Sequence, residues 1–207
     1  MTSVQFVGYA MAGGASSRFG SDKALVELSG KTMLLRTCEL LRGVAREVRI
    51  VAPAGRYEVP GTVVISDRWP GQGPLGGIIT ALMATASLEP HYDWNLIVSC
   101  DMPFLTAEWV QYMAARAAKS AAQVILPHSA TGPEPLCACY RTDGAGKLKA
   151  VFESGVRKIT EALKQVTTEV LDEGDWKRFD SAGRLFWNMN TAADFEEARR
   201  IWEAERK

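Results

Sequence analysis

Short apolar runs alternate with segments of helical periodicity along this chain, and that alternation restricts the fold more than any other feature. Val4 to Met11, Glu47 to Ala52, Thr62 to Ile65 and Trp94 to Ser99 are strand-length runs bounded by Gly, Pro or polar residues. Gln123 to Leu126, Leu136 to Arg141 and Thr167 to Leu171 read as further strands. Between them, Met33 to Leu41 carries the stripe Leu34, Leu35, Cys38, Leu41, and Gly77 to Ser87 places Ile78 and Leu82 beside Ile79, Met83 and Ala86. Thr106 is placed to cap a helix whose stripe is Trp109, Val110, Met113, Ala114, Ala117. Leu148 to Glu153 and Lys158 to Lys164 are also helical in pattern. Thr191-Ala192-Ala193-Asp194 reads as a capping box, with Asp where Glu or Gln is usual, opening a last amphipathic helix that ends near Glu205. Strands alternating with helices predict an α/β fold: a Rossmann-like, mostly parallel sheet covered by helices on both faces.

A chain of 207 residues buries roughly 70% of its unfolded surface, so such a core needs no staples. Lys+Arg and Asp+Glu number 24 each, which excludes a strongly basic nucleic-acid footprint. No apolar run approaches the ~18 residues of a membrane helix, and no membrane partner is expected. The first residues show no basic region or apolar core of a signal peptide. Cys38, Cys100, Cys137 and Cys139 form no C-x-x-C pair, so buried free thiols in a reducing, cytoplasmic compartment are predicted. His91 and His128 are the only histidines, too few for a His-rich zinc site.

The polar residues gather in three loops, each following a predicted strand. If the strands are parallel, all three lie on the rim where open α/β sheets bind ligands. The loop from Ala12 to Lys23 is rich in Gly and Ser and carries Arg18 and Lys23. Its N–H groups and cations suit a polyphosphate, although it lacks the Gly-Lys-Ser/Thr of a P-loop; a plain glycine turn with two solvated cations would look the same. The loop from Ser66 to Gly77 contains Gly71-Gln72-Gly73-Pro74-Leu75-Gly76, a literal G-x-G-x-x-G. It reads as a turn into the Gly77 helix, because Ser66 to Pro70 separate it from the strand whose end a dinucleotide fingerprint requires. Asp101 closes the fourth strand, where a carboxylate either binds Mg²⁺ alongside substrate phosphates or caps a turn. Asn188 and Asn190, two apart before the last helix, either face a pocket together or belong to the helix entry. Trp94, Trp109 and Trp202 read as core; Trp69 and Trp187 flank polar loops and could stack on a ring ligand.

Met11-Ala12-Gly13-Gly14-Ala15-Ser16-Ser17-Arg18-Phe19-Gly20-Ser21-Asp22-Lys23 resembles the signature loop of the molybdenum cofactor guanylyltransferases. Gly73-Pro74-Leu75-Gly76-Gly77-Ile78, Ser99-Cys100-Asp101-Met102-Pro103-Phe104 and Asn188-Met189-Asn190-Thr191 match further blocks in the same order. The resemblance covers nearly the whole chain and implies one nucleotidyltransferase domain over residues 1–207. It implies transfer of GMP from GTP to the terminal phosphate of the molybdopterin cofactor, with release of pyrophosphate and with Mg²⁺ as cofactor. Molybdoenzymes or their chaperones would then receive the product.

By this resemblance Met11, Ala12, Gly13 and Gly14 wrap the nucleotide, and Lys23 contacts its phosphates. Asp67 binds the nucleotide, and Asp101 binds it and holds the metal. Lys23, Arg18 and Asp101 are the catalytic set, while Asn188, Asn190 and Arg157, within Ser154 to Lys158, face the pterin. Two departures are visible: Ala52-Pro53 stands where some members carry a nucleotide-touching Asn, and Met11 replaces a leading Leu. The alternatives are a cytidylyltransferase or sugar-phosphate nucleotidyltransferase, or a non-catalytic nucleotide-binding regulator. Lys23 and Asp101 together argue against the regulator, because binding alone does not demand both. Gly13-Gly14, where related cytidylyltransferases tend to have Ala-Gly, favours GTP over CTP.

Overall fold

The computed structural model describes residues 4–13, 22–180 and 182–204. Its strands are β1 (Phe6–Met11), β2 (Glu27–Leu28), β3 (Lys31–Thr32), β4 (Glu47–Ala52), β5 (Val63–Ser66), β6 (Trp94–Ser99), β7 (Val124–Ser129), β8 (Gly132–Pro133), β9 (Cys137–Arg141) and β10 (Thr168–Leu171). Its helices are α1 (Met33–Arg42), α2 (Pro74–Thr85), α3 (Ala107–Ala117), α4 (Ala145–Glu153), α5 (Ile159–Ala162), α6 (Glu173–Trp176) and α7 (Ala192–Ala204). Eight strands form the central sheet in the order β10-β7-β9-β6-β1-β4-β5, with β8 paired to β7.

Strand periodicity builds two cores. Phe6 and Ala10 of β1 point with Ile50, Leu96 and Val98 to the face covered by α1 and α3. Val7 and Tyr9 point with Val51 and Ile97 to the face covered by α2 and α4. Burying each large apolar side chain in such a layer stabilises the fold by about 1.5–3 kcal/mol. Gly8 lets α1 approach β1: a Cβ there would stand 3.0 Å from Leu41 Cβ and 3.1 Å from Ala45 Cβ.

The sheet is not uniformly parallel. β1, β4, β5 and β6 run parallel, as do β7 and β10, but β9 lies antiparallel between β6 and β7. The connection from β7 to β9 holds only the short β8 excursion, too little chain for a parallel crossover. Because β9 reverses direction twice over, β6 and β7 point the same way. The carboxyl ends of β1, β4, β5, β6, β7 and β10 therefore share one rim.

Several boundaries differ from the sequence reading. α2 starts at Pro74 instead of Gly77, since proline fits the first helical turn and Gly73 (φ +90°) supplies the entry. Lys158 to Lys164 divides into α5 and a 3₁₀ turn, Leu163–Gln165. The hairpin of β2 and β3, turning at Ser29-Gly30 with both φ positive, and the short α6 had no strong sequence signal. The predicted capping box is present: Asp194 N–H donates to Thr191 Oγ1 (3.2 Å) and Thr191 N–H to Asp194 Oδ2 (2.7 Å). Among the described residues no helix is long and apolar enough to cross a membrane. All four cysteines are buried and free.

Candidate active site

The rim carries two hollows with Asp101 between the strands that support them. The first runs over the ends of β1, β4 and β5. One part is lined by Met11, Ala12, Gly13, Asp22, Lys23 and Asp101. It continues past Met11, Gly13 and Ser99 into a cleft of about 530 Å³ that reaches Ala52, Pro53, Asp67, Gly71 and Gly73. The second hollow, about 570 Å³, lies over β7 and the segment before α7 and is lined by Ser129, Thr131, Trp176, Trp187, Asn188 and Asn190.

β1 hands the chain to the first hollow through Ala12 N–H, which donates to Val51 carbonyl (3.0 Å). Gly14, expected to wrap the nucleotide, and Arg18, expected in the catalytic set, lie outside the described residues. The chain returns at Asp22, which caps a 3₁₀ turn, Lys23–Leu25, by accepting Ala24 N–H (3.1 Å). That turn aims Lys23, whose Nζ donates to Asn190 Oδ1 (3.2 Å). Asp101 follows β6, and its carbonyl accepts Met189 N–H (2.8 Å). Lys23, Asp101 and Asn190, from three distant parts of the sequence, thus converge where the two hollows adjoin.

Asp101 Oδ1 is a buried atom with no hydrogen-bond partner among the described residues. An orphaned carboxylate oxygen at the open rim of a sheet is the donor a hard cation takes. Among the described residues no cluster of three or more His, Cys, Asp or Glu could hold a metal, so substrate oxygens and water would complete the coordination. These residues fit Mg²⁺ held by Asp101.

Asp67 stands on the far wall of the cleft. Its N–H donates to Ala52 carbonyl (3.1 Å), and its Oδ1 accepts Trp69 N–H (3.0 Å) and Thr80 Oγ1–H (3.3 Å). Gly71 (φ +77°) and Gly73 turn the chain there in a conformation that other residues adopt only with strain. Trp69, a candidate stacking residue, packs on Phe152 at 5.1 Å. Trp187, the other candidate, stacks on Phe104 (5.4 Å, 4°) and lines the second hollow.

The three residues expected on the pterin side are not all together. Asn188 and Asn190 share the second hollow. Arg157 instead joins the glycine loop of the cleft: its Nη2 donates to Gln72 Oε1 (2.8 Å), Nη1 to Phe152 carbonyl (2.6 Å), and its guanidinium lies 3.9 Å over the Phe152 ring. The Asn190 side is fixed by Asp194, which accepts Asn190 N–H (2.7 Å) as well as Thr191 N–H. These backbone bonds hold the Asp194 carboxyl below its usual range.

Sequence reasoning missed several groups. Glu134 is buried and accepts the Ser129 hydroxyl (2.6 Å). Burial pushes its carboxyl up, and the Asp101 charge adds to the push. Arg56 and Tyr57, which have no motif, reach Asp22. An Asp directly before a short helical turn is a cap signal that could have given Asp22 a role; Arg56, Tyr57 and Glu134 had none.

Residues 8–167 match the model of the MobA-like NTP transferase domain. The chain is 35% identical over 188 residues to a "probable molybdenum cofactor guanylyltransferase" of Deinococcus radiodurans, covering 90% of each. It is 30% identical over 192 residues to the molybdenum cofactor guanylyltransferase of Syntrophotalea carbinolica, covering 92% of this chain and 89% of the relative. Among solved structures, molybdopterin-guanine dinucleotide biosynthesis protein A from Archaeoglobus fulgidus superposes with a TM-score of 0.79 at 25% identity, over 96% of this chain and 99% of the other. With a fold, a glycine loop and a rim carboxylate of this kind, the chain belongs to the MobA-like NTP transferase family of nucleotidyltransferases.

Proposed function

We propose that this protein transfers GMP from GTP to the terminal phosphate of molybdopterin carrying molybdenum, in the cytoplasm. The observation that carries this reading is the Lys23–Asn190 contact beside Asp101, at the junction of two hollows. A two-substrate transfer needs its donor and acceptor phosphates to meet at one point, and this junction supplies a cation, a carboxylate and a carboxamide there. The first hollow would take GTP and the second the pterin.

In the reaction an acceptor phosphate oxygen bonds to the α-phosphorus of GTP, the α–β phosphoanhydride bond breaks, and pyrophosphate leaves. The acceptor is already ionised at neutral pH, so no general base is needed. Such transfers depend on in-line positioning and charge stabilisation more than on a side-chain nucleophile. Lys23, Arg18 and the loop N–H groups would stabilise the charge that grows toward pyrophosphate. Asp101 would hold Mg²⁺, which when bound supplies further neutralisation at the triphosphate. Asn188 and Asn190 would orient the acceptor.

Guanine is favoured because the glycines at the cleft leave backbone groups able to reach a purine edge, and a site built for guanine's donors and O6 leaves groups unpaired with another base. The test is purified protein with Mg²⁺, molybdopterin loaded with molybdate and each of GTP, CTP and ATP, with pyrophosphate and dinucleotide measured. GTP should give the highest kcat/KM. A higher value with CTP overturns the guanylyl assignment, and no pyrophosphate with any nucleotide overturns the transferase reading.

A further inference from the structure

Arg56 and Tyr57 lie outside every motif in the sequence, yet both are fixed at the nucleotide hollow by one carboxylate. Asp22, whose side chain is only 16% exposed, takes Arg56 Nε (2.9 Å) and the Tyr57 hydroxyl (2.7 Å) on Oδ2 while Oδ1 caps the turn that carries Lys23. One partly buried anion therefore sets the positions of two cations, Lys23 and Arg56. Tyr57 lines the part of the hollow that holds Lys23 and Asp101, and Arg56 lines the adjoining cleft. Burial pushes the Tyr57 phenol up, and the bond to Asp22 and its charge add to this.

Arg56 uses Nε on Asp22. Among the described residues its two Nη groups donate to nothing, and its side chain remains 42% exposed. Among the described residues, Arg56, beyond β4, and Asp67, beyond β5, are the charged residues lining the cleft, one of each sign. A nucleoside triphosphate has matching polarity: oxyanions at one end, hydroxyl and N–H donors at the other. We propose that Arg56 is a phosphate ligand for the nucleotide and that Asp22 is its positioning residue, with Asp67 facing the nucleoside end. This rests on the reading above that the cleft holds the nucleotide. A planar guanidinium anchored through Nε presents its two Nη groups as a fork suited to two phosphate oxygens. Because Asp22 already holds the side chain, little rotamer freedom is lost on binding.

The experiment is calorimetric titration of the wild type, Arg56→Ala, Arg56→Lys, Asp22→Asn and the double variant Asp22→Asn with Arg56→Ala, with GTP and, separately, with guanosine, in Mg²⁺. Arg56→Ala should bind GTP about 10- to 100-fold more weakly, as for one lost hydrogen-bonded charge, and guanosine as the wild type does. Arg56→Lys should recover part of the loss through its charge. Asp22→Asn keeps an oxygen for the Ala24 cap; it should weaken GTP by a smaller factor and add little on top of Arg56→Ala. Wild-type GTP affinity in Arg56→Ala overturns the proposal, as does an equal loss for GTP and guanosine, which marks a structural role. If the wild type prefers CTP, the same split must hold between CTP and cytidine. A wild type that binds neither triphosphate overturns the functional reading together with this one, whereas tight GTP binding indifferent to Arg56 removes this one alone.

Discussion

Asp101 owes its position to two distant segments: β6 delivers it to the rim, and Met189 N–H holds its carbonyl from the other side. Its orphaned Oδ1 makes no hydrogen bond among the described residues. Asp101→Ala should therefore abolish transfer while leaving the thermal midpoint unchanged, measured by pyrophosphate release and calorimetry; near-normal turnover at saturating Mg²⁺ contradicts the metal assignment. Lys23 Nζ donates to the Asn190 carboxamide where the two hollows adjoin. Lys23→Ala should lower kcat by about 10²–10³-fold, since one lost electrostatic donor in a transition state has that effect. A rise in KM alone would make Lys23 a ground-state binding residue. Both residues were singled out in the sequence because each falls within a motif block at the end of a strand or loop. Arg56 and Glu134 were not, because nothing in their neighbours' spacing records which side chain they will meet.

At the scale of elements, the central strand β1 does two jobs. Its alternate side chains join both cores, and at its carboxyl end Met11, Ala12 and Gly13 line the first hollow. The close seat of α1 on β1 depends on Gly8, whose added Cβ would press on the Cβ atoms of Leu41 and Ala45, neither of which can rotate away. Gly8→Ala should destabilise the protein by about 1–3 kcal/mol, the usual cost of overpacking, read as an unfolding midpoint shift in urea. A midpoint equal to wild type would mean that α1 shifts freely. At the other end of the chain, α7 is locked by the reciprocal Thr191–Asp194 cap, and Asp194 also takes Asn190 N–H. The helix start and the carboxamide that meets Lys23 are therefore set by one side chain. The cap was readable from four consecutive residues; its link to Lys23 was not, since it spans most of the chain.

At the scale of the whole molecule, two apolar layers lie either side of the sheet, with a smaller cluster around Met33 and Met189, and all four thiols sit in the layer under α1 and α3. Cys38 and Cys100 lie by α1, and Cys137 and Cys139 on β9. Burial pushes the Cys38 thiol up to about 11 and Cys137 to about 12, and raises Cys100 and Cys139 as well. Since only thiolates react, the native protein should be inert to an aromatic disulfide reagent near neutral pH and should release four equivalents once unfolded. Rapid loss of one thiol in the native state would contradict the burial of that cysteine.

The α/β class, the strand and helix sequence, the three rim loops and the acids and cations at their tips follow from local patterns. Apolar runs, helical stripes and glycine-rich turns act over a few residues, and the physics that sets them is present in the neighbouring sequence. The antiparallel β9, the adjoining hollows, the Lys23–Asn190 contact and the Asp22 anchor for Arg56 were decided by tertiary structure. Sheet order and direction depend on how connections pack, and the placing of Arg157 against Gln72 instead of beside Asn188 depends on which loops come to share an edge. Such contacts join residues far apart in the chain, and their energies exist only after the two layers have closed.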